Sequence, residues 1–132
     1  MLLYLSRTID EMLTPQLLAK CNRAVYTSKF FYNVFIREDS VCRVKYDERK
    51  ITQTLNIFSF LIQYLDQNIP NYTDVILLKH LRNLSHFKRL TLTDKFSETL
   101  NKTITNELST IYKRFKRTNQ FKALDFKNRI LI

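Results

Sequence analysis

The sequence predicts an all-α protein: a single-domain bundle of four principal helices with one or two short terminal helices. Apolar residues recur at spacings of three and four along most of the chain, which is the period of amphipathic helices. They make up 45% of the 132 residues, enough for a packed core, and no linker-like composition divides residues 1–132. Glycine is absent, and Phe, Tyr, Ile, Asn and Lys are abundant, a skew typical of an AT-rich genome.

The first principal helix is predicted to begin at Thr14 and Pro15, since a threonine N-cap followed by proline is a common helix start. A capping box at residues 8–11 opens a short turn before it. The apolar stripe passes through Cys21 and reaches the region of Arg37, so we expect a helix of about five turns with Cys21 buried.

The next segment, residues 41–46 (VCRVKY), alternates apolar and polar residues. We expect an extended linker here, and a two-stranded patch with the N-terminal LLYL is the weaker alternative. A second helix is predicted from Asp47 to Asn68. Its apolar residues cover more than half of the helix circumference, which predicts a position at the centre of the bundle.

Two further helices complete the predicted core. The third is expected to begin near Thr73, and the fourth to begin between Thr91 and Asp94 and to continue to about Asn119. Each carries an apolar stripe on one side and basic residues on the other. The closing segment, FKALDFKNRILI, is predicted to form a short helix.

The charge is distributed unevenly along the chain. The formal net charge is +10; residues 1–78 carry nine Lys/Arg and eight Asp/Glu, whereas residues 79–132 carry thirteen and four. This asymmetry indicates a polyanionic partner such as nucleic acid. The candidate polyanion-binding residues are Lys79, Arg82, His86 and Arg89 on the third helix, Lys95, Lys102, Lys113, Lys116 and Arg117 along the fourth, and Lys122, Lys127 and Arg129 in the closing segment.

Aromatic residues lie among the last of these cations. Helical spacing predicts that Tyr112 and Phe115 belong to the core or its edge. Phe121 and Phe126 are expected to anchor the terminal segment, and stacking on unpaired bases is the weaker alternative.

No pattern in the chain indicates catalysis, a cofactor or a metal. The absence of glycine excludes phosphate-binding glycine loops and dinucleotide fingerprints. His80 and His86 are six residues apart and therefore do not share a helix face. Cys21 and Cys42 are too few for a disulfide scaffold or a zinc site, and no carboxylate pair suits acid–base chemistry.

No apolar run reaches the roughly 18–20 residues of a membrane span. The apolar part of the N-terminal MLLYLSR is also too short for a signal peptide. From the sequence we therefore expect an intracellular protein.

These observations favour a non-enzymatic basic helical protein that binds structured RNA or a ribonucleoprotein particle through its cationic helix faces. The alternative is a helical protein–protein interaction module, such as a viral host-targeting protein or a subunit of a large assembly. Apolar residues outside the stripes favour that alternative: Phe30, Phe60, Tyr64 and Tyr72. A secreted helical cytokine, which a Cys21–Cys42 disulfide would support, is the weakest reading.

Overall fold

The computed structural model of the protein describes residues 9–25, 27–29 and 45–124, with the backbone alone for residues 9–11. Over these residues the chain forms five helices and no strand, which confirms the predicted all-α bundle. Four helices are long and one is short. They are α1 (Ile9–Lys20), α2 (Glu48–Asn68), α3 (Pro70–Thr93), α4 (Glu98–Phe115) and α5 (Asn119–Ala123).

The core lies between α2, α3 and α4. Each helix contributes side chains with no exposed surface, such as Ile51 from α2, Leu84 from α3 and Ile104 from α4. The central helix is α3, which packs against α2, α4 and α5, whereas the sequence placed α2 at the centre. The extra apolar width of α2 is partly covered by α1: Met12 of α1 and Phe60 of α2 line one cavity, and Phe60 stays partly exposed.

The limits of α2 agree with the sequence prediction. Asp47 caps its start, since the Asp47 Oδ1 accepts a hydrogen bond from the Lys50 N–H at 2.7 Å. Ile69 ends α2 and also precedes α3. Pro70 then opens α3, because the first turn of a helix does not need the N–H that proline lacks. For this reason α3 begins three residues before the predicted Thr73.

The fourth helix is shorter than predicted. It begins after Ser97 rather than between Thr91 and Asp94, because α3 continues to Thr93 and Ser97 supplies the N-cap. The Ser97 Oγ accepts from the Leu100 N–H at 3.3 Å, and the Ser97 N–H and hydroxyl both donate to the Glu48 carboxylate. This contact joins the start of α4 to the start of α2.

The end of α4 also differs from the prediction. The helix stops at Phe115 instead of reaching Asn119, because Thr118 caps the separate helix α5. The Thr118 Oγ1 accepts from the Phe121 N–H at 3.2 Å. The predicted closing helix, residues 121–132, overlaps α5 only at residues 121–123, and residues 125–132 lie outside the described part of the chain.

The prediction for the N-terminal part was wrong. One helix, α1, runs through Pro15 rather than starting there, and it ends at Lys20. The Cys21 N–H donates to the Leu18 carbonyl at 3.2 Å, a tight turn that closes the helix. Residues 21–25 and 27–29 are not helical, so the predicted stripe does not continue and Cys21 is exposed instead of buried.

The described helices share two features, one of backbone geometry and one of hydrophobicity. No described residue has a positive φ angle, so the junctions from α2 to α5, which are fully described, use no left-handed backbone position. None of the described helices is both long enough and apolar enough to cross a membrane.

The extended segment was predicted at residues 41–46. Residues 41–44 lie outside the described part of the chain, and Lys45 and Tyr46 are described and lie outside any helix.

Candidate polyanion-binding surface

One face of α3 gathers four of the predicted polyanion-binding residues, three cations and one histidine. At 100° per residue they occupy about 80° of the helix circumference and span about 15 Å along its axis. All four side chains are exposed, on the side of α3 opposite the buried Leu81 and Leu84. We call this surface the α3 cationic face: Lys79, Arg82, His86 and Arg89.

Its histidine is held by neighbouring rings. The His86 ring lies edge-on to Tyr46, with 5.7 Å between the ring centroids, and Tyr46 also contacts Phe87 at 5.2 Å. The two arginines are different, since neither Arg82 nor Arg89 forms an ion pair with another described residue. Their guanidinium groups are therefore available to an anionic ligand.

The acidic residues of the same region have other partners. The sequence holds three Asp or Glu residues between positions 79 and 124, and each lies beside a cation or a histidine outside the α3 cationic face. The face is therefore not neutralised by these carboxylates. The pairs are Asp94–Lys45 at 2.9 Å, Glu98–Lys102 at 2.8 Å and Glu107–His80 at 2.6 Å.

The predicted cationic row on the fourth helix is interrupted. Only Lys102 and Lys113 lie within α4, because the helix is shorter at both ends than the sequence pattern suggested. Lys95 lies in the connection before Ser97, and Arg117 lies in the turn after the helix. Lys102 is already paired with Glu98 four residues earlier, so α4 contributes less unpaired charge than expected.

Three exposed cations collect at the C-terminal end of α4: Lys113 in the last turn, Lys116 at the C-cap and Arg117 beyond it. Basic residues at this position are stabilised by the negative end of the helix dipole, by about 0.3–1 kcal/mol each. Part of the basic excess therefore has a structural cause. Lys122 is exposed on α5, and Lys127 and Arg129 lie outside the described residues.

The aromatic residues near this end pack against one another. Phe121 lies edge-on to Tyr112 at 6.3 Å and to Phe115 at 5.8 Å, and Phe115 is fully buried. This confirms the prediction that Tyr112 and Phe115 belong to the core or its edge, and that Phe121 anchors the closing segment. Phe126 lies outside the described residues.

A polar contact inside the bundle was not predicted. The His80 side chain is fully buried, its Nε2 lies 2.6 Å from Glu107 Oε1, and its ring stacks on Phe58 with centroids 4.7 Å apart. The signal was present in the sequence, since His80 follows Leu77 by three residues and precedes Leu84 by four on the buried stripe. The expectation that His80 and His86 do not share a face is confirmed.

A second unpredicted contact joins α4 to α2. Arg114 Nη2 donates to Asp66 Oδ1 at 2.5 Å. The hydrogen bond from Arg114 holds the pKa of the Asp66 carboxyl below its usual range, although partial burial acts in the opposite direction. This pair fastens the end of α2 to the last turn of α4, and it removes one more cation from the set available to a ligand.

The described residues contain no group of three His, Cys, Asp or Glu side chains that could hold a metal ion. The chain matches no protein-family model, no curated protein and no solved structure. Its function is therefore inferred from the geometry and charge of its own surfaces.

Proposed function

We propose that the protein is a small, non-enzymatic RNA-binding protein that docks structured RNA or a ribonucleoprotein particle through the α3 cationic face. The observation that supports this most strongly is the state of Arg82 and Arg89. Both are exposed on one side of one helix, and neither has an ion-pair partner among the described residues. An ordinary solvated helix face carries acidic residues in comparable number, and this face carries none.

The recognition would be directed at the phosphate backbone. Arginine guanidinium groups bind phosphate oxygens through two parallel hydrogen bonds, and each phosphate neutralised releases condensed counterions. The face is a row about 15 Å long on one helix, which suits the regularly spaced phosphates of a folded RNA better than the edges of individual bases. Because RNA and ribonucleoproteins are found inside cells, an intracellular location is part of this proposal.

The second cluster, Lys113, Lys116 and Arg117, would extend the contact. Glu107 of α4 meets His80 of α3, and Asn101 of α4 meets Lys88 further along α3, so the two helices run antiparallel. This places the C-terminal end of α4 level with the first half of α3, on the side that carries His80 rather than on the α3 cationic face. A ligand would have to pass around the N-terminal end of α3 to reach both clusters.

The test is RNA binding by charge-reversed variants. Fluorescence anisotropy with a labelled RNA hairpin should show binding by the wild type and a loss of at least about tenfold in affinity for the double variant R82E/R89E. The matched control is K20E/K29E, which changes the net charge equally at exposed lysines outside the face. Equal losses in both variants, or no loss in either, would contradict the proposal.

A protein partner is the second candidate, and one observation favours it. The leucines Leu13 and Leu17 of α1 are 45% and 61% exposed, and Phe60 of α2 is 43% exposed. Apolar side chains exposed on neighbouring elements are typical of a protein-binding surface. Of the residues singled out in the sequence, Tyr72 is also exposed, whereas Phe30 lies outside the described residues.

The two candidates are distinguished by a pull-down of tagged protein with and without nuclease. Loss of all partners after nuclease supports the RNA proposal. A defined protein partner that survives nuclease, and that is lost in the variant L13Q/L17Q, supports the alternative.

A further inference from the structure

An apolar cavity lies between α1, the end of α2 and the start of α3. Its volume is about 330 Å³, within the range of roughly 300–1,000 Å³ typical of small-ligand sites. Leu65 and Ile76 form its buried and half-buried floor, and Leu18 of α1 covers one side. The chain that follows α1 forms the remaining wall.

The polar groups of this cavity lie at its edge. Arg23 is exposed in the segment after α1, and it forms no ion pair with another described residue. No acidic residue lines the cavity. A ligand that fits this cavity must therefore have an apolar body that contacts Leu65 and Ile76. A negative charge on the ligand would be favourable at the end that lies near Arg23.

Several apolar side chains of the lining are exposed. Leu18 is 52% exposed, Tyr72 61% and Val75 48%, and all three line the cavity. Burying such side chains is favourable by about 25 cal/mol for each Å² removed from water. An alkyl chain lying along them would gain this energy without any movement of the three core helices.

We propose that this cavity binds a single-chain fatty carboxylate, with the alkyl chain against Leu18, Leu65 and Ile76 and the carboxylate beside Arg23. The guanidinium group of arginine matches a carboxylate through two parallel hydrogen bonds. The proposal is independent of RNA binding, because the α3 cationic face begins beyond Val75 and shares no residue with the lining.

The primary experiment is calorimetric titration of the full chain with dodecanoate below its critical micelle concentration. We expect saturable binding of one equivalent, and an affinity that rises roughly fourfold for each methylene added from octanoate to dodecanoate. Absence of saturable binding by dodecanoate would overturn the proposal.

The head group is tested by a matched pair of variants. R23Q removes the rim charge and should weaken dodecanoate binding about tenfold, whereas K20Q removes a neighbouring charge outside the lining and should leave binding unchanged. Dodecyltrimethylammonium, with the same chain and the opposite charge, should bind less tightly than dodecanoate. Equal binding of the two amphiphiles, or equal effects of R23Q and K20Q, would overturn the carboxylate assignment.

The location is tested through Cys21, which lines the cavity and carries an exposed free thiol. In a C42S background, dodecanoate should slow alkylation of Cys21 by iodoacetamide in proportion to occupancy. The variant A24F, which adds bulk at an exposed lining position, should abolish both binding and protection. Binding with an unchanged alkylation rate would place the ligand elsewhere and contradict the proposed site.

Discussion

His80 of α3 and Glu107 of α4 form a side-chain contact of 2.6 Å at the edge of the core. The His80 side chain is fully buried, whereas the Glu107 side chain is 24% exposed. Because an ionised carboxylate can only accept a hydrogen bond, the tautomer that fits this contact carries its proton on Nε2. The other ring nitrogen, Nδ1, has no hydrogen-bond partner among the described residues, so Glu107 provides the one polar contact that this ring makes there.

We expect Glu107→Leu to lower the free energy of unfolding by about 1–3 kcal/mol, because it leaves a buried N–H group without an acceptor. Glu107→Gln should cost less, since its amide oxygen can still accept from His80. Urea denaturation monitored by circular dichroism measures both changes. Equal stability of the two variants would show that the hydrogen bond is not the stabilising interaction.

Packing in the centre of the bundle is tested by a pair of leucines on α3. Leu84 is 0% exposed and Leu92 is 80% exposed. Leu84→Ala should cost about 2–5 kcal/mol by leaving a cavity between the helices, whereas Leu92→Ala should change stability by less than about 0.5 kcal/mol. A small effect at Leu84 would mean that α3 is not the central helix.

The Asp66–Arg114 pair predicts a dependence of stability on pH. Arg114 lowers the pKa of Asp66 in the folded state, so the ionised carboxylate stabilises the fold above the pKa of the unfolded chain. That contribution is lost as the pH falls through the lowered folded-state pKa. Both side chains are more than one third exposed, so Asp66→Asn should cost at most about 1 kcal/mol at pH 7.

The stability difference between wild type and Asp66→Asn should shrink as the pH falls below about 4. It should also shrink at high salt, which screens partly exposed pairs. Chemical denaturation at several pH values measures this stability difference. The variant Arg114→Met should show the same dependence on pH. If the stability difference stays constant down to the lowest pH at which the protein folds, the Asp66–Arg114 pair is not its source.

The salt dependence of RNA binding gives a separate test of the α3 cationic face. The neutral double variant R82Q/R89Q should reduce the slope of log K against log salt by about 1.4–1.8, since each of two phosphate contacts contributes roughly 0.7–0.9. Lys102→Gln should change the slope less than either single arginine variant, because Glu98 already pairs with Lys102. Equal slopes for all these variants would argue against phosphate contacts at α3.

The cap of α4 provides a stability prediction with an internal control. Ser97→Ala removes the N-cap acceptor and also the hydroxyl bond to Glu48, and it should cost about 1–2 kcal/mol. Ser109→Ala changes the same chemical group at an exposed position of α4 and should be nearly neutral. Equal costs would indicate that the capping hydroxyl does not determine where α4 begins.

The sequence predicted the elements that carry strong local signals. Asp47 followed by a long apolar stripe defined α2 correctly, because the cap and the periodicity agree. At the start of α4, Thr93 and Ser97 are both chemically able to cap a helix. Glu48, which lies 49 residues earlier, accepts hydrogen bonds from Ser97 and so stabilises Ser97 as the N-cap. Helix periodicity contains no information about such a contact.

The same distinction applies to the candidate surface. The four positions of the α3 cationic face follow from helical spacing, and the structure places all four on one exposed side. The pair Lys102–Glu98 is local and could have been found from its spacing of four. The pair Asp66–Arg114 and the break of the α4 row depend on how the helices pack, so the sequence pattern could not reveal them. RNA binding and the single-domain assignment stay predictions.

The absence of left-handed backbone positions among residues 45–124 has a consequence for how this part of the chain can vary. At a junction with positive φ, most substitutions for glycine strain the backbone, so such a position is constrained in evolution. The described junctions at Asp94, Lys116 and Leu124 have extended or right-handed helical angles, which most residue types can adopt. At these three junctions the residue type is therefore restricted by capping, packing and surface contacts rather than by a need for glycine.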